Sequence, residues 1–345
     1  MGKKRFSVLL ILVLALGVMA GCSKKSDAAA AAPEAAAEKT VDLSFSSVSV
    51  TGDSHTEAMY VFADKVKELS NGTINVKVYD NGSLFSAENE FDALLSGEVD
   101  MAYISFPQIA TQIPSFSMFG SGYFFSSYDH MTKTLNGDIA KQNIWPQVTA
   151  KMHVIPLGSL YLGSREVNTR KKAINSYEDM KGLLLRMPNS EAWLFLGKAL
   201  GANPTPLSFS ELYTALQTGA VDGQDNPLPT IEKAKFYEVT KYIAITNHVI
   251  DSIMPCVNEA KWNSLSDAQQ KAVREAMTFA IAFNDKARID SENSLIAFFE
   301  KEGLTVTHPD INEFRTNVQK AYEANTAMTS TWDMDLYKKV QALAE

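Results

Sequence analysis

Residues 182–229 read GLLLRMPNSEAWLFLGKALGANPTPLSFSELYTALQTGAVDGQDNPLP, and their order decides the fold. The apolar run Leu183-Leu184-Leu185 reads as a strand that ends at Arg186, so the guanidinium sits at the strand's carboxyl end. Ser208-Phe209-Ser210-Glu211 has the spacing of a capping box opening a helix to Thr218. Gly219 can take the left-handed conformation that closes such a helix. Val221-Asp222 then starts a second strand, which runs into the polar turn Gln224-Asp225-Asn226.

The same design occurs earlier in the chain. Phe91-Asp-Ala-Leu-Leu-Ser-Gly-Glu-Val-Asp100 and Tyr213-Thr-Ala-Leu-Gln-Thr-Gly-Ala-Val-Asp222 share an aromatic, Ala-Leu, a hydroxyl residue with Gly, and Val-Asp. The echo predicts two lobes of like α/β build, each with a helix feeding a strand. Ligands of open α/β sheets sit beyond the carboxyl ends of strands. A cleft is therefore expected between Ser105-Phe106 and the turn Gln224 to Asn226.

Outward from the echo, residues 41–50 alternate as a first strand, and Thr51-Gly52-Asp53-Ser54 reads as a turn and cap. Met59, Phe62, Val66 and Leu69 have the spacing of a helix over residues 55–69. Ile74, Val76 and Val78 alternate as a second strand; residues 88–95 form a short helix, and 99–104 a third strand. This β-α-β-α-β order implies a mainly parallel sheet. The aromatics of residues 105–128 read as core, since such rings dominate burial. Residues 152–157 and 250–257 read as strands, the latter crossing back to the first lobe. Ser264-Leu265-Ser266-Asp267 caps a helix over residues 268–301, long enough to span both lobes, with a break near Asp290-Ser291 as the alternative.

The chain has 345 residues, 46% hydrophobic and 21% charged, with a net charge of −8. That length suffices for two lobes. An acidic chain lacks the basic footprint of nucleic-acid binders, so no nucleic-acid partner is expected. The start, MGKKRFSVLLILVLALGVMAGCS, is basic, then apolar, then small before Cys22. It has the pattern of an export signal over residues 1–21. Met19-Ala20-Gly21-Cys22 looks like a bacterial lipoprotein cleavage box, making Cys22 the lipidated first residue of the mature chain; a plain signal with a chance cysteine, or a retained anchor, is the other reading. The Ala-rich residues 22–40 fit a flexible tether. Cys256, flanked by Pro255 and Val257, reads as a buried inert thiol.

The five histidines, at 55, 130, 153, 248 and 308, show no metal-binding spacing. No GxSxG, phosphate-binding Gly loop or GxGxxG occurs, so no catalytic residue, metal or cofactor is expected. Two readings of Arg186 stand side by side: a planar fork for a ligand carboxylate, or a salt bridge to Glu178 or Asp179. Asn189 and Asn226 suit either polar ligand groups or turns. Arg165, in a stretch without periodicity, reads as a surface arginine by default.

The runs LLLRMPN, GANPTPLSFSELYTALQTGAVDGQDNP and KFYEVTKYIAITNH together resemble the solute-binding proteins of tripartite ATP-independent periplasmic (TRAP) transporters. The likeness covers essentially the whole mature chain. It implies an α/β, two-lobed periplasmic-binding-protein (Venus-flytrap) fold with a long helix spanning both lobes. Lobe I would be residues 41–162 plus 252–290, and lobe II residues 163–251 plus 291–345. It also implies an extracytoplasmic protein that closes over an organic acid and delivers it to an integral membrane permease, and the cleavage box before Cys22 would add a lipid anchor to the membrane. An enzyme of carboxylated sugars and a ligand-loaded sensor partner are the rival functions. In that family the carboxylate-binding arginine falls on Arg186 and the cleft asparagine on Asn226. The sialic-acid binders add positions that fall on Asn189, Phe209 and Arg165. Their acidic first-lobe position falls on Ser105, which leaves a smaller sugar acid or a C4-dicarboxylate open beside sialic acid.

Overall fold

The structure is a computed structural model and describes residues 39–344; the expected signal and Cys22 lie outside them. Ten strands form one mixed sheet. They are β1 (Val41–Ser46), β2 (Ile74–Tyr79), β3 (Met101–Ile104), β4 (Val154–Pro156) and β5 (Leu160–Thr169), followed by β6 (Leu184–Met187), β7 (Asn203–Pro206), β8 (Gly223–Pro227), β9 (Tyr242–Asn258) and β10 (Thr305–Thr307). The order across the sheet is β2-β1-β3-β9-β5-β8-β6-β7, with β4 and β10 also pairing β9.

The two ends of this order have the same plan. β1 pairs β2 and β3 in parallel; β6 pairs β7 and β8 in parallel. The helix Ala87–Ser96 leads into β3 and the helix Leu212–Thr218 into β8. Each ends on a left-handed glycine, Gly97 at φ 82° and Gly219 at φ 85°. The aspartate that follows ties strand to strand: Asp100 Oδ2 accepts the backbone N–H of Ser44 on β1 at 2.8 Å, and Asp222 Oδ2 that of Leu184 on β6 at 3.0 Å. The echo is thus one supersecondary unit used twice. Gly97→Ala and Gly219→Ala should each destabilise by about 1–2 kcal/mol through left-handed strain, read as a lower denaturation midpoint with unchanged slope.

The middle of the sheet departs from the parallel expectation. The 17-residue β9 runs antiparallel to β5 through its first part and to β3 and β4 at its end. One strand therefore belongs to both halves. The pairing slips at Tyr161/Gly163 and again at Arg165/Val167, two irregularities of the kind that bend a strand and re-aim its side chains.

Each half of the sheet lies between two apolar layers. Beside β1–β3, Phe62 and Val66 of the helix Ser54–Leu69 pack with Ala276 and Met277. On the opposite side, Phe106, Phe116, Phe119, Phe124 and Phe125 are buried in one cluster, as expected for a core segment. The second half is flanked by clusters around Leu185 and Phe314, and around Leu216 and Phe299. Cys256 is fully buried, which pushes its thiol up and makes it inert.

The helix Asp267–Lys301 has 35 residues, about 50 Å of rise. Ser266 and Gln269 form its capping box. It packs on the first half through Ala272–Ala280 positions and on the second through Leu295 and Phe299. The break considered at Asp290-Ser291 is absent. Ser291 Oγ donates back to the Arg288 carbonyl and Asp290 pairs with Lys286, so both side chains are satisfied within the helix.

Two expected caps are also corrected. Ser208 makes no capping hydrogen bond; residues 209–211 form a 3₁₀ turn, and Ser208 Oγ instead lies 3.3 Å from Glu88 Oε2. Asp53 precedes its helix without capping it, because its carboxylate is paired with Arg288.

Candidate ligand-binding site

A cavity of ≈ 480 Å³ lies between the two halves, at the carboxyl ends of β1, β3, β6 and β8. Its size is ordinary for a small-molecule site. Arg165, Arg186, Asn189, Phe209 and Asn226 all line it, so the structure brings the five sequence-selected residues together. Ser105 lines it from the first half, whereas Phe106 turns into the core.

Arg186 is on β6, the strand built from the Leu run, and is 3% exposed. Its Nε donates to the Leu207 carbonyl at 2.8 Å. Neither Nη has a hydrogen-bond or ion-pair partner among the described residues, and the salt bridge to Glu178 or Asp179 is not formed. Burial pulls its pKa below the ordinary arginine value, to about 10, with Arg165 adding to the fall and Asp225 and Glu88 opposing it. It stays protonated at neutral pH.

Arg165 is a correction: it is no surface residue but lies on β5, 3% exposed. Its Nε donates to Asp225 Oδ2 at 2.7 Å, Nη1 to Asp251 Oδ2 at 2.9 Å, and Nη2 to the Asp225 carbonyl at 2.6 Å. The Trp193 ring lies 4.5 Å from its guanidinium carbon. Burial opposes its charge, but Asp225 and Asp251 more than restore it. The register of β5 with β8 is unbroken, Arg165 opposite Pro227 and Val167 opposite Asp225, so Arg165 and Asp225 are diagonal neighbours on one face.

Asn226 is fixed at both ends. Its Nδ2 donates to Gln224 Oε1 at 2.5 Å, and its Oδ1 accepts from Arg165 Nη2 at 3.3 Å. Phe209 is half-buried and packs edge-on against Phe236 at 5.7 Å. Asn189 follows Pro188 just past the end of β6.

The opposite wall held surprises. Asp53, His55 and Glu90 line the cavity and are nearly inaccessible. Arg288, at the middle of the long helix and fully buried, places Nη2 2.7 Å from Asp53 Oδ1 and 2.6 Å from His55 Nδ1. Its Nη1 donates to Thr230 Oγ1 at 3.3 Å, on the second half. Burial would raise the Asp53 carboxyl, but Arg288 and His55 hold it well below the usual carboxylate range. One signal for Glu90 was in the sequence: it lies beside Phe91 and four residues before Leu94, on the helix's apolar face. Asp53 and Arg288 carried none, being 235 positions apart in different elements. Among the described residues no group of His, Cys, Asp and Glu is placed to hold a metal ion.

Two like halves around a cavity, one wall presenting an open buried guanidinium, make this a two-lobed solute-binding protein. The chain belongs to the bacterial extracellular solute-binding protein family 7 (DctP), whose model matches residues 45–328. It is similar to the sialic acid-binding periplasmic protein SiaP of Vibrio cholerae, 36% identical over 263 residues, which are 76% of this chain and 81% of that protein. A TRAP periplasmic solute-binding protein from Roseobacter denitrificans, crystallised with 3-deoxy-D-manno-oct-2-ulosonic acid, superposes with a TM-score of 0.84 at 36% identity, over 88% of this chain and all of that one. The sugar acid-binding protein DctPAm of Advenella mimigardefordensis, crystallised with galactonate, gives 0.83 at 28% identity, over 89% of this chain and 98% of that one.

Proposed function

We propose that the protein captures a hydroxylated organic acid, of the sugar-acid kind, and that the carboxylate is taken by the two open Nη groups of Arg186. The observation that carries this is the state of Arg186: buried at a cavity wall, charged, and with only Nε used. A planar fork matches a carboxylate in two parallel hydrogen bonds. Arg165 is already matched by Asp225 and Asp251, so its part is to hold Asn226 and present remaining N–H edge to the ligand. Asn189 and Asn226 take hydroxyls, and Phe209 forms an apolar side. The ligands bound by the two crystallised relatives, both polyhydroxylated acids, support the class.

Residues 41–162 plus 252–290 act as one lobe and 163–251 plus 291–345 as the other. The pairing slip at Tyr161/Gly163, opposite Ser252 and Asp251, supports a hinge there. Ligand binding shifts the population toward the closed form. The mature chain is tethered through a lipid on Cys22 and hands its ligand to an integral membrane permease.

The test is calorimetry with a panel of aldonic, uronic and ulosonic acids, paired with native mass spectrometry of protein from its own host. A co-purifying hydroxylated acid that rebinds at micromolar or lower concentration is the expected result. Turnover of the bound acid, or no binding across the panel, would overturn the proposal.

A further inference from the structure

Glu90 is the one carboxylate of the cavity wall whose burial nothing yet explains. It sits on the helix Ala87–Ser96 beside Phe91 and is 4% exposed. Ser46 Oγ donates to its Oε1 at 2.6 Å. Its Oε2 accepts no hydrogen bond from the described residues, and no lysine, arginine or histidine among them pairs with it. Capping is not its role, because Ser86 caps this helix by accepting from Asn89 N.

The other buried carboxylates in and beside the cavity are matched, and Glu88 and Asp92, which also line it, are exposed to water. Asp53 has Arg288 and His55; Asp251 and Asp225 share Arg165. Arg186, the open cation, is on the far half and is perturbed by Glu88 rather than by Glu90. Burial pushes the Glu90 carboxyl up to about 7, and the Ser46 hydrogen bond offsets this only in part. A buried carboxyl with one open oxygen and no counter-ion is a costly feature to keep for packing alone. Facing a cavity, it can accept a hydroxyl, and it disfavours a second anion nearby.

We infer that Glu90 is a specificity-determining residue: its open oxygen takes a hydroxyl of the ligand and turns away a second carboxylate, so the site prefers hydroxylated monocarboxylates to the matching dicarboxylates. This rests on Arg186 being the carboxylate anchor. With one end of the ligand on Arg186, the wall bearing Glu90 meets the hydroxylated remainder. A dicarboxylate of the same chain length would bring its second charge to a wall with no free cation.

Aldonates and aldarates test this directly, because each pair differs only in a terminal hydroxymethyl or carboxylate. Calorimetry at about pH 8, where Glu90 is mostly ionised, should be run with gluconate and glucarate, galactonate and galactarate, and mannonate and mannarate. The wild-type protein should prefer the bound aldonate over its aldarate by roughly 100-fold. Glu90→Gln keeps the shape and an oxygen for Ser46, and should narrow that ratio by about tenfold or more. Glu90→Met, of similar volume, should narrow it in the same direction and serves if the amide variant is unstable. An unchanged ratio in a folded Glu90 variant that still binds the aldonate overturns the inference and leaves the Arg186 reading standing. A wild-type protein that binds the aldarate of a pair as tightly as its aldonate overturns the inference too, again without touching the Arg186 reading.

Discussion

Arg186→Ala should abolish useful ligand binding while leaving the fold almost intact. Removing a charge-assisted, desolvated contact to a ligand carboxylate costs about 2–5 kcal/mol, or roughly 30- to 4,000-fold in affinity. Two features separate this arginine from an ordinary buried one. Its only hydrogen bond within the protein is from Nε to the Leu207 carbonyl, and no carboxylate is paired with it. Truncation therefore strands no buried anion, and it removes a cation whose burial already depresses its pKa. The melting temperature should stay within a few degrees of wild type or rise. Arg186→Lys should recover little affinity, since an ammonium keeps the charge but cannot offer two parallel N–H groups. Calorimetry with the acid found by mass spectrometry reads both variants. Undiminished affinity in Arg186→Ala would remove Arg186 as the anchor and with it the proposed function.

Much of the architecture was legible because local signals and tertiary need coincide in it. The repeated aromatic–Ala-Leu–Gly–Val-Asp pattern works in both places for the same reason: a helix must stop at a left-handed residue, and the following aspartate must tie the new strand to its neighbour. Arg186 was legible as a strand-end residue because the Leu run ahead of it has no other plausible register. The misreadings share a physical origin as well. Arg165 looked like a surface residue because its stretch shows no period of two in the sequence, yet its pairing with β8 sets it diagonal to Asp225 on one face. Ser208 and Asp53 have the composition of helix caps, but each side chain is claimed by a partner far away in sequence, Glu88 and Arg288. Capping spacing is a local signal, and at Asp53 a buried ion pair outweighs it. The middle of the sheet was misjudged as parallel because β9's two partners on either side lie outside any local window. Pairings of Asp53 with Arg288, or of Arg165 with Asp251, exist only once the chain is folded.

Asp225→Ala should do the opposite of Arg186→Ala and strike stability first. The Asp225 side chain is fully buried and serves two partners, Arg165 and His248. Its Oδ2 accepts from Arg165 Nε at 2.7 Å and lies 3.1 Å from His248 Nε2, while Oδ1 accepts from Arg165 Nη2 at 3.1 Å. Without it, Arg165 keeps Asp251 as its one carboxylate, beside the backbone carbonyl of residue 225 and Asn226 Oδ1, and buried His248 keeps only Thr246 Oγ1. Breaking one member of a buried charged network costs about 3–5 kcal/mol, a fall in melting temperature of roughly 6–15 °C. Burial would raise the Asp225 carboxyl, but Arg165 and His248 together hold it below its ordinary 3.8. A carboxyl depressed in the folded state lends stability that is complete above the unfolded value and is lost as pH falls through and below it. The wild-type protein should therefore lose stability as pH drops below about 4, and Asp225→Asn should flatten that part of the profile. Asp251 supplies the control. Its carboxyl is pushed up by burial despite Arg165, so at neutral pH its charge is held against a penalty rather than with a gain. Asp251→Asn should thus destabilise less than Asp225→Asn at pH 7 and leave the acid limb steep. Equal losses in the two variants across the pH range would mean that Arg165 is held by its stacking on Trp193 and its backbone bond to the Asp225 carbonyl, and that the carboxylate of Asp225 has no special share in it.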